Sequence, residues 1–187
     1  MRMGVMRRVP WGVFLALWFV VPPVGAATLE RLTLEEMAAK STAIIRGRVI
    51  SLRTAQKGPL VYTYATVQVQ EQWKGAPAVR LEVATPGGKL GTTEQHFAGA
   101  PDLSVGSEYL LFLWTGKNGL TQIIGLCQGI FDVKMDASGQ LTVRRAAITE
   151  TLVDPATRTP VTDDGMVMRL SDLRARVSRT LAAGGAR

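Results

Sequence analysis

The sequence predicts a mainly β fold, either a barrel or a sandwich, with one short helix near each end of the mature chain. Short apolar runs alternate with turn residues along most of the sequence, which is typical of all-β domains. Two long β-rich runs, residues 43–52 and 60–73, flank a turn at residues 56–59. Residues 109–114 are continuously apolar, which predicts a strand buried on both faces.

The first 26 residues have the layout of a secretory signal peptide. A basic segment precedes an apolar run at residues 11–21, and prolines and small residues follow, with Ala26 at the expected cleavage point. The apolar run is 11 residues long, shorter than the roughly 20 that a membrane span needs. We therefore expect an exported protein, periplasmic or extracellular, with a β domain at residues 27–145 and an irregular arm and helix at residues 146–187.

Charge and cysteine content restrict the partners and the redox chemistry. The chain has 22 Lys and Arg against 15 Asp and Glu, and loss of three signal-peptide arginines leaves 19 against 15. This mild excess favours an anionic partner such as lipid head groups or polysaccharide, and export argues against nucleic acid. Cys127 is the only cysteine, so it cannot form an internal disulfide. We expect it to be a small buried residue, with pairing between chains as the alternative.

Two helices are predicted. Thr33 and Glu36 form a capping box that begins a helix at residues 34–40. A second, amphipathic helix is predicted within residues 166–181, with Ser171 as its cap. Its arginines could contact a membrane surface or a partner; the alternative is a helix docked on the core with solvated arginines. These arginines are Arg169, Arg174, Arg176 and Arg179.

The two long runs predict the centre of a β-sheet. Gly47 lies inside the first run, where a glycine often marks a bulge or a bend. In the second run, small and β-branched residues alternate with polar ones, so Tyr62 and Tyr64 are expected on the polar face. A strand this long is typical of small, strongly curved barrels.

Two later segments are predicted loops. Residues 85–91 are rich in glycine, but Gly88 and Lys89 are followed by leucine, so the phosphate-binding pattern is incomplete and a flexible turn is expected. Residues 98–106 form a second break between strands.

The candidate catalytic residues are His96 and Glu94. His96 is the only histidine, and on a strand Glu94 would point the same way, giving an acid–base couple or half of a metal site. One histidine and one cysteine cannot supply a typical zinc site, and Asp163 with Asp164 is too small a group for calcium. The sequence therefore predicts no metal, no cofactor and no complete catalytic set.

The candidate binding residues are aromatic and basic. Tyr62 and Tyr64 share one face of the long run, and Trp73 and Lys74 stand at its end. Aromatic rings beside basic groups suit carbohydrate, peptide or cationic contacts. The alternative is that these rings serve packing.

Four short stretches carry a resemblance to a known family. They are STAIIRGRV at residues 41–49, WKG at 73–75, LEVATPGG at 81–88 and VGSEYLLFL at 105–113. Their order resembles the netrin-type module of the tissue inhibitors of metalloproteinases over residues 41–114. The resemblance implies a five-stranded OB-fold barrel, closed or partly open, with flanking helices. Those inhibitors bind zinc through an N-terminal cysteine, whereas the predicted mature chain here begins at Ala27, so the resemblance implies the fold and not the inhibition.

Three functions follow as hypotheses. The first is a non-enzymatic module that binds a protein or an envelope surface through residues 85–91, residues 98–106 and the tyrosine face. The second is a hydrolase or metal-dependent enzyme that uses His96 and Glu94. The third is a structural envelope component held by its C-terminal helix. The ligand and the oligomeric state stay open.

Overall fold

The computed structural model describes residues 28–185, and the predicted signal peptide lies outside the described residues. Within this range the chain forms thirteen strands and two helices. In chain order these are β1 (Thr28–Glu30), α1 (Leu34–Lys40), β2 (Ala43–Lys57), β3 (Leu60–Lys74), β4 (Arg80–Pro86), β5 (Gly88–Leu90), β6 (Thr93–Gln95), β7 (Glu108–Thr115), β8 (Thr121–Ile123), β9 (Ile130–Met135), β10 (Leu141–Arg145), β11 (Thr151–Val153), β12 (Pro160–Val161), β13 (Met166–Arg169) and α2 (Leu170–Gly184).

The main sheet is antiparallel and has the strand order β13-β10-β9-β7-β2-β3-β4, with β8 paired to the end of β7. Strand β4 lies against β8 although the two are not hydrogen-bonded neighbours. The strands β8-β7-β2-β3-β4 therefore curl into a barrel that stays partly open, and the predicted fold class is confirmed. Among the described helices, none is both long and apolar enough to cross a membrane.

The β2–β3 hairpin is the centre of this sheet. Lys57 pairs with Leu60 across the predicted turn, where Gly58 has a φ of 62°. Strand β2 runs further than expected, to Lys57, because it stays paired with β3 up to the turn. The predicted irregularity at Gly47 is confirmed, since the pairing with β3 shifts register between Arg46 and Gly47.

Strand β7 separates two hydrophobic cores, as its continuous apolar run predicts. Leu110 and Phe112 face a cluster that contains the buried stripes of both helices. Leu111 and Leu113 face the interior of the curled sheet. Trp114, the last residue of the apolar run, departs from this pattern because its position near the end of β7 leaves it 46% exposed.

The two helices cover one face of the sheet. The capping box of α1 is confirmed: the amide of Glu36 donates to Thr33 Oγ1 at 3.1 Å, and the amide of Thr33 donates to Glu36 Oε2 at 2.8 Å. Helix α2 begins at Leu170, and Ser171 as its cap is wrong, because Arg169 holds the N-cap position without a side-chain hydrogen bond. Residues 166–169, predicted as helix, instead pair with β10.

The basic face of α2 is partly neutralised within the chain. Arg174 forms an ion pair with Glu71 at 3.3 Å, and Arg176 forms one with Glu35 at 2.7 Å. The buried stripe of the helix packs into the first core, as expected for a docked helix; its members are Leu170, Leu173 and Val177.

The arm at residues 146–165 contains the short strands β11 and β12, which form a separate small sheet with β1. Asp163 holds this arm to the main sheet. Its carboxylate forms a 2.6 Å ion pair with Arg145 and also accepts the amides of Ile148 at 3.1 Å and Gly165 at 3.2 Å. Both side chains of the ion pair are only 10% exposed.

Candidate binding cleft at the open end of the barrel

The open end of the barrel forms a cleft of about 350 Å³, here called the mouth cleft. Its walls come from the two segments that the sequence predicts as loops, around residues 85–88 and 97–103. Its lining comprises Leu52, Thr63, Thr85, Pro86, Gly87, Gly88, Gln95, His96, Phe97, Ala100, Pro101, Asp102 and Leu103. The structure therefore brings both predicted contact loops to one site.

The glycine-rich segment forms a close-packed wall, which corrects its interpretation as a flexible turn. Gly87 and Gly88 adopt φ values of 101° and 128°, and the chain then continues into the short β5–β6 hairpin. Thr63 Oγ1 donates to the carbonyl of Gly87 at 2.9 Å. A Cβ at Gly88 would lie 2.5 Å from that same hydroxyl oxygen. Glycine is needed here for its positive φ and for the close approach of β3.

Gln95 fixes the other side of the β5–β6 hairpin. Its side-chain oxygen accepts the amide of Val61 at 2.8 Å, and its nitrogen donates to the carbonyl of Pro59 at 3.3 Å. The Gln95 side chain thus satisfies backbone groups at the start of β3, just beyond Tyr62, where the pairing of β3 with β4 stops. Phe97, two residues later, is held over the cleft and remains 37% exposed.

The cleft exposes apolar surface. Leu52 is 39% exposed and Phe97 is 37% exposed, and both line the cleft, whereas Leu103 is buried at its base. Scattered exposed apolar residues are ordinary, but a concave group of them with a polar rim marks a binding site.

His96 lines the mouth cleft, and its ring hydrogen-bonds at 2.9 Å to Glu94, which does not itself line the cleft. Their side chains are 84% and 52% exposed. Within residues 28–185, no group of three or more His, Cys, Asp or Glu side chains is arranged to hold a metal ion.

The tyrosines of β3 lie away from the mouth cleft. Tyr64 is only 8% exposed, so the expectation that it faces solvent is wrong. Leu120, from the connection between β7 and β8, packs against it together with Ala84, and the guanidinium of Arg53 lies 4.1 Å from its ring centroid. Tyr62 is half-buried, with its ring 6.2 Å from that of Tyr64.

Trp73 and Lys74 lie at the C-terminal end of β3. At about 3.3 Å per residue, this is roughly 30 Å along the strand from the tyrosines. Trp73 packs against the helix core, and its indole nitrogen donates to Glu71 at 3.1 Å. Lys74 Nζ donates to the carbonyls of Ala38 and Ala39 at 2.8 Å each. The four candidate residues therefore form no single surface, and their role in binding stays a prediction.

Lys74 caps the C-terminal end of α1, where carbonyl groups lack helical partners. Burial lowers the pKa of its ammonium group. We expect Lys74→Met to reduce the free energy of unfolding by about 1–2 kcal/mol, because two carbonyls lose a charged donor while the aliphatic stem is kept. Urea denaturation measures the change. Lys40→Met is the matched control. Lys40 lies in the last turn of α1, the turn that Lys74 caps, but its own side chain is exposed. Equal effects of the two substitutions would contradict the capping role.

A second cavity, of about 320 Å³, lies across the segment 100–102 from the mouth cleft. Cys127 lines it and is half-buried rather than fully buried, with its sulfur 3.9 Å from Glu150. Burial, followed by the negative charge of Glu150, raises the pKa of the thiol. A thiol held in its protonated form is a weak nucleophile. Cys127 is therefore a poor candidate for a catalytic nucleophile in this cavity.

Comparison with known proteins adds no family assignment. The chain matches no protein-family model, and no curated protein matches it. The resemblance to netrin-type modules therefore rests on residues 41–114 of the sequence, and the candidate site rests on its geometry.

Proposed function

We propose that the protein is an exported, non-enzymatic binding module that binds another protein of the envelope or extracellular space at the mouth cleft. The observation that carries this proposal is the exposure of Leu52 and Phe97 inside a concave site built from both predicted contact loops. Burying two such side chains in a partner would contribute roughly 25 cal/mol for each Å² of apolar area removed from water.

A protein partner fits better than a small molecule because the exposed apolar surface extends beyond the cleft. Ile50, on the same strand as Leu52, is 36% exposed, and Val105 is 58% exposed. The amide of Gly106 donates to the carbonyl of Val49 at 2.8 Å, which places Val105 beside this part of β2. Neighbouring exposed apolar residues are a feature of protein contact surfaces.

The geometry of His96 and Glu94 supports binding over catalysis. A general base is usually tuned by burial or by a third oriented group. Here both side chains are largely exposed, and among the described residues His96 hydrogen-bonds only to Glu94. We propose that they contact the partner at the edge of the cleft. The third hypothesis, anchoring by α2, is less favoured because the apolar stripe of that helix is used within the fold.

Site-specific photocrosslinking tests this proposal. A benzophenone side chain at position 97 is expected to crosslink a protein from an envelope extract, and an excess of unmodified protein should compete. Position 114 is the matched control, since Trp114 is also aromatic and 46% exposed but does not line the mouth cleft. Equal crosslinking at both positions, or none at position 97, would overturn the assignment of the site.

A further inference from the structure

Strand β2 has an open edge, defined here as residues 50–57. Strand β7 pairs with β2 only from Ala43 to Arg48. The last bonds between the two segments involve Val49, whose amide donates to Ser107 at 3.0 Å and whose carbonyl accepts from Gly106 at 2.8 Å. Strand β2 then continues to Lys57 with β3 as its only partner strand among the described residues.

Local backbone features create this open edge. The pairing of β2 with β3 shifts register between Val49 and Ser51, and such a bulge bends a strand and increases its twist. On the other side, Gly106 has a φ of 87° and turns the chain away just before β7 begins. Alternate residues of an antiparallel strand direct their N–H and C=O groups to one edge, so about four residues of the open edge present unpaired backbone groups.

The open edge is only partly protected. Near its end, Thr54 Oγ1 donates to the carbonyl of Lys89 in β5 at 2.8 Å, and Lys57 is exposed, whereas residues 50–52 have no such cover. Proteins normally cover edges or place charges and prolines on them. Here the guanidinium of Arg53 lies over the Tyr64 ring and pairs with Glu82 at 2.7 Å, so it is engaged with the neighbouring strands. Ile50 and Leu52 are exposed instead, and Leu52 also lines the mouth cleft. The edge and the cleft thus form one continuous surface.

The charges beside the open edge favour an acidic occupant. Lys57, Lys89 and Lys117 are exposed there, and none of them forms an ion pair with a described residue. Lys57 Nζ donates to the carbonyl of Asn118 at 2.7 Å, so Lys117 is its close neighbour. Pairing with a second copy would give these lysines no acidic side chain, because residues 50–57 contain none, so an acidic segment suits the edge better than self-pairing does.

We propose that the open edge of β2 binds an extended, acidic segment of the partner protein as an added strand. Main-chain hydrogen bonds to residues 50–57 would hold the segment, and alternate apolar side chains would enter the mouth cleft beside Leu52 and Phe97. Acidic residues of the segment would face Lys57 and Lys117. This inference rests on the proposed binding function and names the chemistry of its ligand.

The probe is a pool of synthetic octapeptides with Val, Ile, Leu or Phe at every second position and Glu at the others. A matched pool carries Lys in place of Glu. We expect the acidic pool to bind at least about tenfold more tightly, and Lys57→Glu to reduce this preference, because two of the three lysines beside the edge remain. Amide hydrogen exchange in residues 50–57 should slow by about tenfold or more when the acidic pool binds.

N-methylation of the peptide backbone separates strand pairing from simple cleft binding. Methylation of alternate amides should abolish binding in one register and leave it intact in the other, because only one set of N–H groups faces β2. If both methylated series bind, the added strand is wrong while the binding cleft stands. If neither pool binds and position 97 crosslinks no partner, both proposals fail. Dimerisation through residues 50–57 in place of peptide binding would also overturn the inference.

Discussion

Gly47→Ala is expected to lower the free energy of unfolding by about 3 kcal/mol, the upper range for overpacking a well-filled site. A Cβ at this position would lie 2.5 Å from the carbonyl oxygen of Gln68 and 2.7 Å from a methyl group of Val67. Both neighbours belong to β3, so the central hairpin would have to separate at its bulge. The midpoint of urea denaturation measures the loss.

Gly184→Ala is the matched control for this substitution. It lies at the end of α2, and a Cβ there would meet nothing within 4 Å. Its effect is expected to stay within about 0.5 kcal/mol, as for other open surface positions. Equal stability of the two variants would show that β3 does not approach β2 as closely as described.

Asp163→Ala is expected to cost about 3 kcal/mol or more, because it leaves the charge of Arg145 buried without its partner. The same carboxylate also accepts the amides of Ile148 and Gly165, so the arm at residues 146–165 loses its attachment. Denaturation should show the loss of stability, and hydrogen exchange should show faster exchange across the arm.

The neighbouring substitution Asp164→Ala provides the control for Asp163. Asp164 is exposed, and its removal should change stability by less than about 0.5 kcal/mol. Similar effects at the two positions would mean that the ion pair with Arg145 contributes little, and the arm would then have to be held by its short strands.

Local sequence signals predicted the framework of the fold. The capping box of Thr33 and Glu36, the turn before Pro59 and the irregularity at Gly47 each depend on neighbours in sequence or on one paired strand. The run that became β7 was predictable because continuous apolarity implies burial on both faces.

The wrong predictions concern residues whose burial or pairing depends on a segment that is distant in the sequence. Tyr64 alternates with core residues as a solvent-facing residue would, but Leu120 comes from another part of the chain and covers it. Residues 166–169 continue the helical spacing of α2, yet β10 offers them a paired edge. Gln128, which no motif indicated, is 1% exposed and bonds to the backbone of Glu30 and Leu32.

The WKG anchor at residues 73–75 has a structural explanation. Trp73 packs on the helix core, and Lys74 caps α1. Gly75 has a φ of 97°, and a Cβ there would lie 2.9 Å from the carbonyl oxygen of Thr42. Trp73 and Lys74 thus join the C-terminal end of β3 to α1, and Gly75 allows close approach to the start of β2. These contacts explain the WKG residues by their structural role.

The candidate site was only partly predictable. Both contact loops were identified from their turn residues, and both line the mouth cleft. The exposure of Leu52 could not be read from alternation, because it depends on where β7 stops pairing with β2. The position of Phe97 in the cleft likewise depends on Gln95, because the side chain of Gln95 fixes the β5–β6 hairpin that precedes Phe97.

The most direct test is the affinity of the partner captured through position 97 for three variants. Leu52→Asp and Phe97→Asp should each weaken binding by about tenfold or more, because a charge enters the apolar contact. Tyr62→Ala, on the tyrosine face, should bind like the unmodified protein. Loss of affinity in Tyr62→Ala alone, with both cleft variants unaffected, would contradict the mouth cleft as the binding site.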